Sequence, residues 1–240
     1  MIIYGFNPVL EAMRAGRVRE IRVAARADER VQALVSEAAM LGVRVRRVTR
    51  EELDAESRRG KHQGVLADIS AAKEATLEDL SHSSNEPALI VVLDEVEDPQ
   101  NVGAILRSVD AAGATGVVRQ ERRAARLDGA AAKASAGAVH HVRVATVVNI
   151  ARAIDELKAA NVWTLGLDAR SEMTYHEWDF TLPTALVVGA EGRGLRRLVR
   201  ERCDHVISIP MRGHVDSLNV SAATAIVLFE AVRQRSRGRP

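Results

Sequence analysis

The chain has 240 residues, 47% of them hydrophobic, and a formal net charge of +2. That length suits one large domain or two small ones, and no window approaches the roughly 18 apolar residues that a membrane span needs. No charged segment followed by an apolar core opens the chain, so no signal peptide is expected. The single cysteine, Cys203, excludes an internal disulfide and a cysteine-based metal cluster, and the expected compartment is the cytoplasm.

Charge is unevenly spread. Residues 1–70 carry net +3, residues 71–100 net −7 and residues 101–240 net +6, so two mildly basic blocks flank an acidic connector. Of the 34 basic residues 30 are arginine, whose planar fork suits phosphate and base-edge contacts, although biased codon usage would leave the same excess. Aromatic residues make up only 3%, which argues against base stacking as the main binding mode.

Ile2–Tyr4 reads as a short strand, and Asn7-Pro8 as the cap and first turn of a helix to about Ala15. A strand at Ile21–Ala24 is followed by a helix capped by Asp28, with Val31, Leu34, Val35, Ala38 and Leu41 at helical spacing and Gly42 at its end. Val43, Val45 and Val48 mark the next strand, Thr49 and Glu52 a capping box, and Val65–Ile69 a further strand. This alternation predicts a small α/β sandwich complete in itself. Its loop Arg58-Arg59-Gly60-Lys61-His62-Gln63-Gly64 is basic and glycine-flanked; it reads either as an RNA-backbone contact or as an ordinary solvated turn.

Residues 71–86 are rich in alanine, serine and acid, with one apolar spot at Leu77 and Leu80, and read as a linker with at most a helical turn. The expected organisation is therefore a module over 1–70, a linker over 71–86 and a second α/β domain over 87–240. Ala88–Leu93 is an unbroken apolar strand of the kind covered on both faces in a parallel sheet. Asp98-Pro99-Gln100-Asn101 then turns the chain into a helix over Val102–Ala112. Strands are expected at Val117–Val118, Val142–Val144, Val162–Leu167, Leu186–Gly189 and Ile207–Ile209. Helices are expected at Asp128–Ala138, after Asn149, from about Leu195 to Arg202, and from Leu218. Asp168–Leu182 is irregular, with Tyr175, Trp178 and Phe180 as its anchors. The last helix, Ala222 to Val232, is apolar almost all round, which predicts complete burial, while Ser217, Asn219 and Ser221 crowd its start.

Three segments share one layout, an apolar strand followed by a turn of small and polar residues: Asp98–Arg107, Gly189–Gly194 and Met211–Asn219. Ligands of open parallel sheets sit beyond the carboxyl ends of strands, so loops after neighbouring strands would converge on one site. The G-A-E-G-R-G segment lacks the acidic partner of a dinucleotide fingerprint and the lysine of a phosphate-binding loop, but its glycines allow close backbone approach to a flat ligand. The histidines show no zinc spacing and no nucleophile elbow appears, so neither a metal nor nucleophilic catalysis is expected.

D-P-Q-N-V-G-A-I-L-R-S (98–108), V-V-G-A-E-G-R-G-L (187–195) and I-P-M-R-G-H-V-D-S-L-N-V-S-A-A (209–223) resemble, in order and spacing, the three signature motifs of the SpoU/TrmH methyltransferases of the SPOUT superfamily. The amino-terminal part, with H-Q-G at 62–64, resembles the small ribosomal-protein-like RNA-binding module fused to that domain, so the likeness covers nearly the whole chain. It implies an α/β/α module followed by a SPOUT α/β domain with a parallel sheet and a deep trefoil knot. The implied cofactor is S-adenosylmethionine, the implied assembly a homodimer in which both protomers shape each site, and the implied substrate RNA rather than DNA or a membrane. The closing F-E-A-V-R-Q-R-S (229–236) favours members that methylate the ribose 2′-hydroxyl of a guanosine in 23S rRNA. A tRNA ribose methyltransferase and a catalytically silent ribosome-assembly factor are the alternatives.

Carried over by position, the resemblance implies Arg107, Asn101, Glu191, Ser217 and Asn219 as the catalytic polar set. It implies Gly189, Glu191, Gly192, Ile209, Met211, Leu218 and Asn219 as the cofactor's contacts. The family's usual proposal makes Arg107 a base, which is awkward because a guanidinium stays protonated. Arg58, Arg59, Lys61 and His62 of the basic loop are expected to face RNA. So are Arg122 and Arg123 in V-V-R-Q-E-R-R-A-A-R (117–126), where relatives usually carry a proline and a basic residue.

Overall fold

The structure, a computed structural model, describes residues 2–25, 28–57, 60–69, 74–82, 86–127 and 129–237. The chain divides into two compact units, Met1–Lys73 with Ala136–His141, and Glu74–Ser135 with Val142–Pro240.

In the first unit β1 (Ile2–Tyr4), α1 (Phe6–Arg14), β2 (Val18–Ala24), α2 (Glu29–Met40), β3 (Arg44–Val48), α3 (Arg50–Glu56) and β4 (Val65–Ile69) follow one another. Its sheet runs β1-β4-β2-β3, with β2 and β3 parallel and β4 antiparallel to β1 and β2. Side chains alternate between faces along each strand. Ile21, Val23, Val65 and Ala67 therefore meet α1 and α2 on one side, whereas Val48 and Leu66 meet Leu53 of α3 on the other. Asp28 and the Thr49–Glu52 capping box sit where the pattern predicts. The start of α1 differs. Gly5, at φ +96°, is its N-cap, and the Phe6 amide donates to Gln63 Oε1 at 2.9 Å, so Asn7 lies inside the helix and caps nothing.

Residues 136–141 add a 3-10 turn, Ala138–His140, to this unit. His140 is buried there, its Nδ1 accepting from the Arg17 guanidinium at 2.9 Å. Burial and the facing Arg17 charge push the His140 pKa down to about 4.

In the second unit the stretch expected as a linker contains α4 (Leu77–Ser81), closed by a Thr76–Asp79 capping box. Leu80 is wholly buried against Ile150 and Leu157, and the Ala75 amide bonds the Val144 carbonyl at 3.0 Å, so residues 74–82 are part of this unit's core. There follow β5 (Leu89–Asp94), α5 (Pro99–Ala111), β6 (Gly116–Gln120), α6 (Gly129–Ala134), β7 (Val144–Val147), α7 (Ile150–Ala159) and β8 (Trp163–Leu167). After them come β9 (Thr184–Gly189), α8 (Arg197–Arg202), β10 (His205–Ile207) and α9 (Val220–Arg237). The sheet is parallel throughout, in the order β10-β8-β9-β5-β6-β7. β5 and β9 are buried along their whole length, as unbroken apolar runs require at the centre of a doubly covered sheet. Trp178 and Phe180 are buried and anchor the irregular stretch after β8.

One expectation fails at α9. Val220, Ala223, Val227, Leu228 and Ala231 are buried, but Ile226 and Phe229 are 37% and 49% exposed. The helix is buried on one face only; composition alone cannot tell an apolar face covered by its own chain from one left open. No described helix is long and apolar enough to cross a membrane.

His140 makes the first unit acid-sensitive. A histidine whose folded pKa is depressed adds stability above its unfolded value near 6.5, and that stability is lost as pH falls toward 4. Urea denaturation should therefore show a loss of about 2–3 kcal/mol between pH 7 and pH 4 that the His140→Gln variant largely lacks.

Candidate functional site

Beyond the carboxyl ends of β8 and β9 lies a cavity of about 750 Å³, walled by residues 167–170, 188–194, 209, 211, 216–220 and 223. Apolar side chains (Val188, Ile209, Met211, Leu218) share its wall with the carboxylates of Asp168, Glu191 and Asp216.

Local sequence explains how each segment arrives there. Asp98 accepts the amides of Gln100 and Asn101 at 3.1 and 3.3 Å and Pro99 opens α5, so Asn101 sits in the first helical turn, buried. The second segment leaves β9 through Gly189. A Cβ built there would lie 2.2 Å from the carbonyl carbon of Gly194, so glycine is required for the two backbones to touch. Gly192 and Gly194 take positive φ, and the Gly194 amide closes the turn on the Ala190 carbonyl at 2.8 Å. Arg196 then pins the turn to the sheet. Its amide and Nε donate to the wholly buried Asp94 carboxylate at 2.9 and 2.7 Å.

The third segment corrects the expectation of three neighbouring strands. β5 and β9 are adjacent, but β10 lies at the sheet edge beyond β8, and the chain from Ser208 to Leu218 must return toward β9 and α5. There the Asn219 amide donates to Asn101 Oδ1 at 2.9 Å, and the Asn101 amide donates to Glu191 Oε2 at 3.0 Å. Asn219 Oδ1 in turn accepts from the amide and hydroxyl of Ser221 at 2.9 and 2.6 Å. Donors and acceptors run one way, from Ser221 through two amides to a carboxylate, which fixes the orientation of both asparagines.

Gly189, Glu191, Gly192, Ile209, Met211, Ser217, Leu218 and Asn219 all border the cavity, and Asn101 reaches it through Glu191 and Asn219. Ser217 donates to Asp216 at 3.0 Å. Arg107 is elsewhere. It lies two turns inside α5, exposed, with no hydrogen-bond or ion-pair partner among the described residues, and it does not line the cavity.

Arg58 and Arg59 lie outside the described residues, and Lys61 is exposed. The expectation that His62 faces RNA is corrected, since its side chain is buried. Nδ1 accepts the Gly64 amide at 3.0 Å and Nε2 faces Asp54 Oδ1 at 3.0 Å, so its work is to close the loop. Arg122 is exposed, while Arg123 pairs with Glu95 at 3.0 Å.

The sequence reading missed Asp168, Arg170 and Arg193 on the cavity wall. Asp168 directly follows β8, so the strand-end rule applied to that strand would have found it. Burial alone would raise the Asp168 carboxyl, but hydrogen bonds from Arg170 and the charges of Arg170 and Arg200 hold it below its ordinary pKa.

A parallel α/β domain with a ligand-sized cavity at its strand ends, and an amide relay in its wall, belongs to the class of open-sheet proteins that bind a small molecule at their strand ends. Residues 88–229 match the SpoU rRNA Methylase family and residues 2–75 the family of RNA 2'-O ribose methyltransferase substrate binding domains, and the chain belongs to the SpoU rRNA Methylase family. It is 43% identical to the 23S rRNA (guanosine-2'-O-)-methyltransferase RlmB of Pseudomonas syringae pv. tomato, over 99% of this chain and 97% of that protein. It is 39% identical to the Putative TrmH family tRNA/rRNA methyltransferase YacO of Bacillus subtilis, over 98% and 96% respectively. The crystal structure of the SpoU methyltransferase AviRb from Streptomyces viridochromogenes in complex with the cofactor AdoMet superposes with a TM-score of 0.82 at 27% identity, covering 99% of this chain and 91% of that one.

Asn101→Asp tests the relay with almost no change of shape. The new oxygen replaces the amide that lies 3.0 Å from Glu191, so two carboxylates face each other and the folded pair holds a proton above its unfolded pKa. The variant should lose about 1–3 kcal/mol at pH 7.5 in urea denaturation and recover part of it at pH 5.

Proposed function

We propose that the chain transfers the methyl group of S-adenosylmethionine to a ribose 2′-hydroxyl of RNA, a guanosine of 23S rRNA in the cytoplasm, and that it acts as a homodimer. The observation that carries this reading is the cavity itself, whose wall beside residues 167–170 is made by the segments 187–195 and 209–223 that resemble the family's motifs. The match of residues 2–75 to a substrate-binding family and the full-length likeness to 23S rRNA methyltransferases support the choice of RNA.

The cavity suits the cofactor. Its volume of about 750 Å³ falls within the usual range of ligand sites, roughly 300–1,000 Å³. Ile209, Met211 and Leu218 offer apolar surface to a flat base, and Glu191 and Asp216, whose recorded partners are uncharged, offer negative charge to a cation. Gly189, Gly192 and Asn219 would hold the polar end through backbone and amide groups, and the trefoil knot implied by the resemblance belongs to this reading. Bound there, the cofactor supplies an electrophilic methyl group on a positively charged sulfur.

The protein's own part is to align the ribose oxygen and to ease loss of its proton. Asn101 and Asn219, locked by the relay onto Glu191, keep the cavity mouth in one arrangement, with Ser217 beside them. Arg107 keeps its proton, and so serves the developing alkoxide and a neighbouring phosphate as a charged fork. In one chain it lies away from the cavity; a second copy packed on the open Ile226–Phe229 face of α9 would cover that apolar surface.

Incubation with labelled S-adenosylmethionine and separate rRNA and tRNA pools tests the function, with label expected in rRNA. Label in tRNA alone would move the substrate, and label in neither would leave a binding protein. Arg107→Lys keeps a charge and loses the fork, and should cut methyl transfer about 100-fold or more. Near-wild-type transfer by that variant would remove the fork from the mechanism.

A further inference from the structure

We propose that Arg122, Arg193 and Arg212 form a phosphate-holding rim that lays the RNA backbone along the carboxyl edge of the sheet, over the mouth of the cavity. The inference rests on the methyltransferase reading and names the residues of the second unit that grip its substrate. The observation behind it is a difference among arginines. Those of the second unit with described side chains donate to a carboxylate, a backbone carbonyl or another recorded partner, except four. The exceptions, without hydrogen bond or ion pair among the described residues, are Arg107, Arg122, Arg193 and Arg212, all exposed.

Their positions are not scattered. Arg107 lies within α5, but the other three sit in the segments that follow β6, β9 and β10. All six strands run parallel, so those segments emerge at one edge of the sheet, the edge at which the cavity lies. Arg193 is part of the cavity wall, held between Gly192 and Gly194, and Arg212 follows Met211, which is also in the wall. Three carboxylates of the same edge are occupied, Glu95 by Arg123 and Arg196, Asp168 by Arg170 and Arg200, and Glu191 by Asn101, while Asp216 accepts from Ser217.

An exposed ion pair is worth only about 0–1 kcal/mol, so leaving these arginines unpaired costs the fold little. What it changes is the potential. A paired arginine presents almost no net field, whereas three unpaired ones along one edge attract a polyanion, and the guanidinium fork suits phosphate oxygens. Held there, a strand of RNA would lie across the cavity with one ribose over the methyl donor's place.

The test is the salt dependence of binding to unmodified 23S rRNA transcribed in vitro. Arg122→Gln, Arg193→Gln and Arg212→Gln should each make the fall of log K with log salt concentration shallower by about 0.7, the release expected for one phosphate contact on a single strand. KM for the RNA should rise about 3–10-fold, and in Arg122→Gln and Arg212→Gln, whose side chains are not part of the cavity wall, kcat at saturating RNA and the Kd for S-adenosylmethionine should stay within about twofold of wild type. Arg152→Gln, which removes an exposed arginine paired with Glu156, should leave the slope unchanged. Wild-type slopes in any two of the three variants would overturn the rim, as would a loss of S-adenosylmethionine affinity in place of the slope change in Arg122→Gln or Arg212→Gln. Absence of methyl transfer to any RNA by the wild type counts instead against the functional reading, which separates the two failures.

Discussion

The second unit depends on a one-way run of hydrogen bonds, Asn219 to Asn101 to Glu191. It joins residues 118 and 90 positions apart in the sequence and fastens three segments that leave three different strands. Each asparagine presents both a donor and an acceptor, and the carboxylate at the end accepts only, so the relay has one satisfied arrangement. Asn101 is buried, and a buried amide left without its partner costs about 1–3 kcal/mol. That asymmetry holds the return of the chain after β10 against the mouth of α5.

The rest of the site follows from closeness of backbone. Gly189 and Gly194 touch in a way that no side chain permits, and the buried Asp94 carboxylate, gripped by the amide and guanidinium of Arg196, ties the far end of the same turn to β5. Asp94 and Gly189 are partners in register, so the carboxylate and the glycine turn sit side by side at the end of the two central strands. The cavity is the space left between this rigid turn and the returning chain. Its wall combines backbone and apolar side chains with the charged side chains of Asp168, Arg170, Glu191, Arg193 and Asp216.

Much of the fold could be read from periodicity. Helical spacing in α2, unbroken apolar runs in β5 and β9, and caps at Asp28, Thr49, Asp98 and Asn149 all signal local structure that tertiary packing keeps. The loops that build the cavity were legible too, because small residues after an apolar strand are a local signal. What was not legible depends on partners distant in sequence or outside the chain. His62 reads as a loop cation until Gly64 and Asp54 close on it. α9 reads as wholly buried, although Ile226 and Phe229 stay 37% and 49% exposed. Arg107 reads as part of a motif, yet its place two turns inside α5 keeps it from the cavity whose other residues share that motif set. The order β10-β8-β9 cannot be inferred from any strand's own pattern.

The relay as a whole, rather than its separate members, would support a cofactor held in this cavity. A double-mutant cycle with Glu191→Leu and Asn219→Leu, read as S-adenosylmethionine affinity by titration calorimetry, tests this most directly, because the two side chains are joined through Asn101. The account predicts a coupling of about 1–2 kcal/mol, the double variant binding little worse than either single one. Additivity within about 0.5 kcal/mol would contradict it.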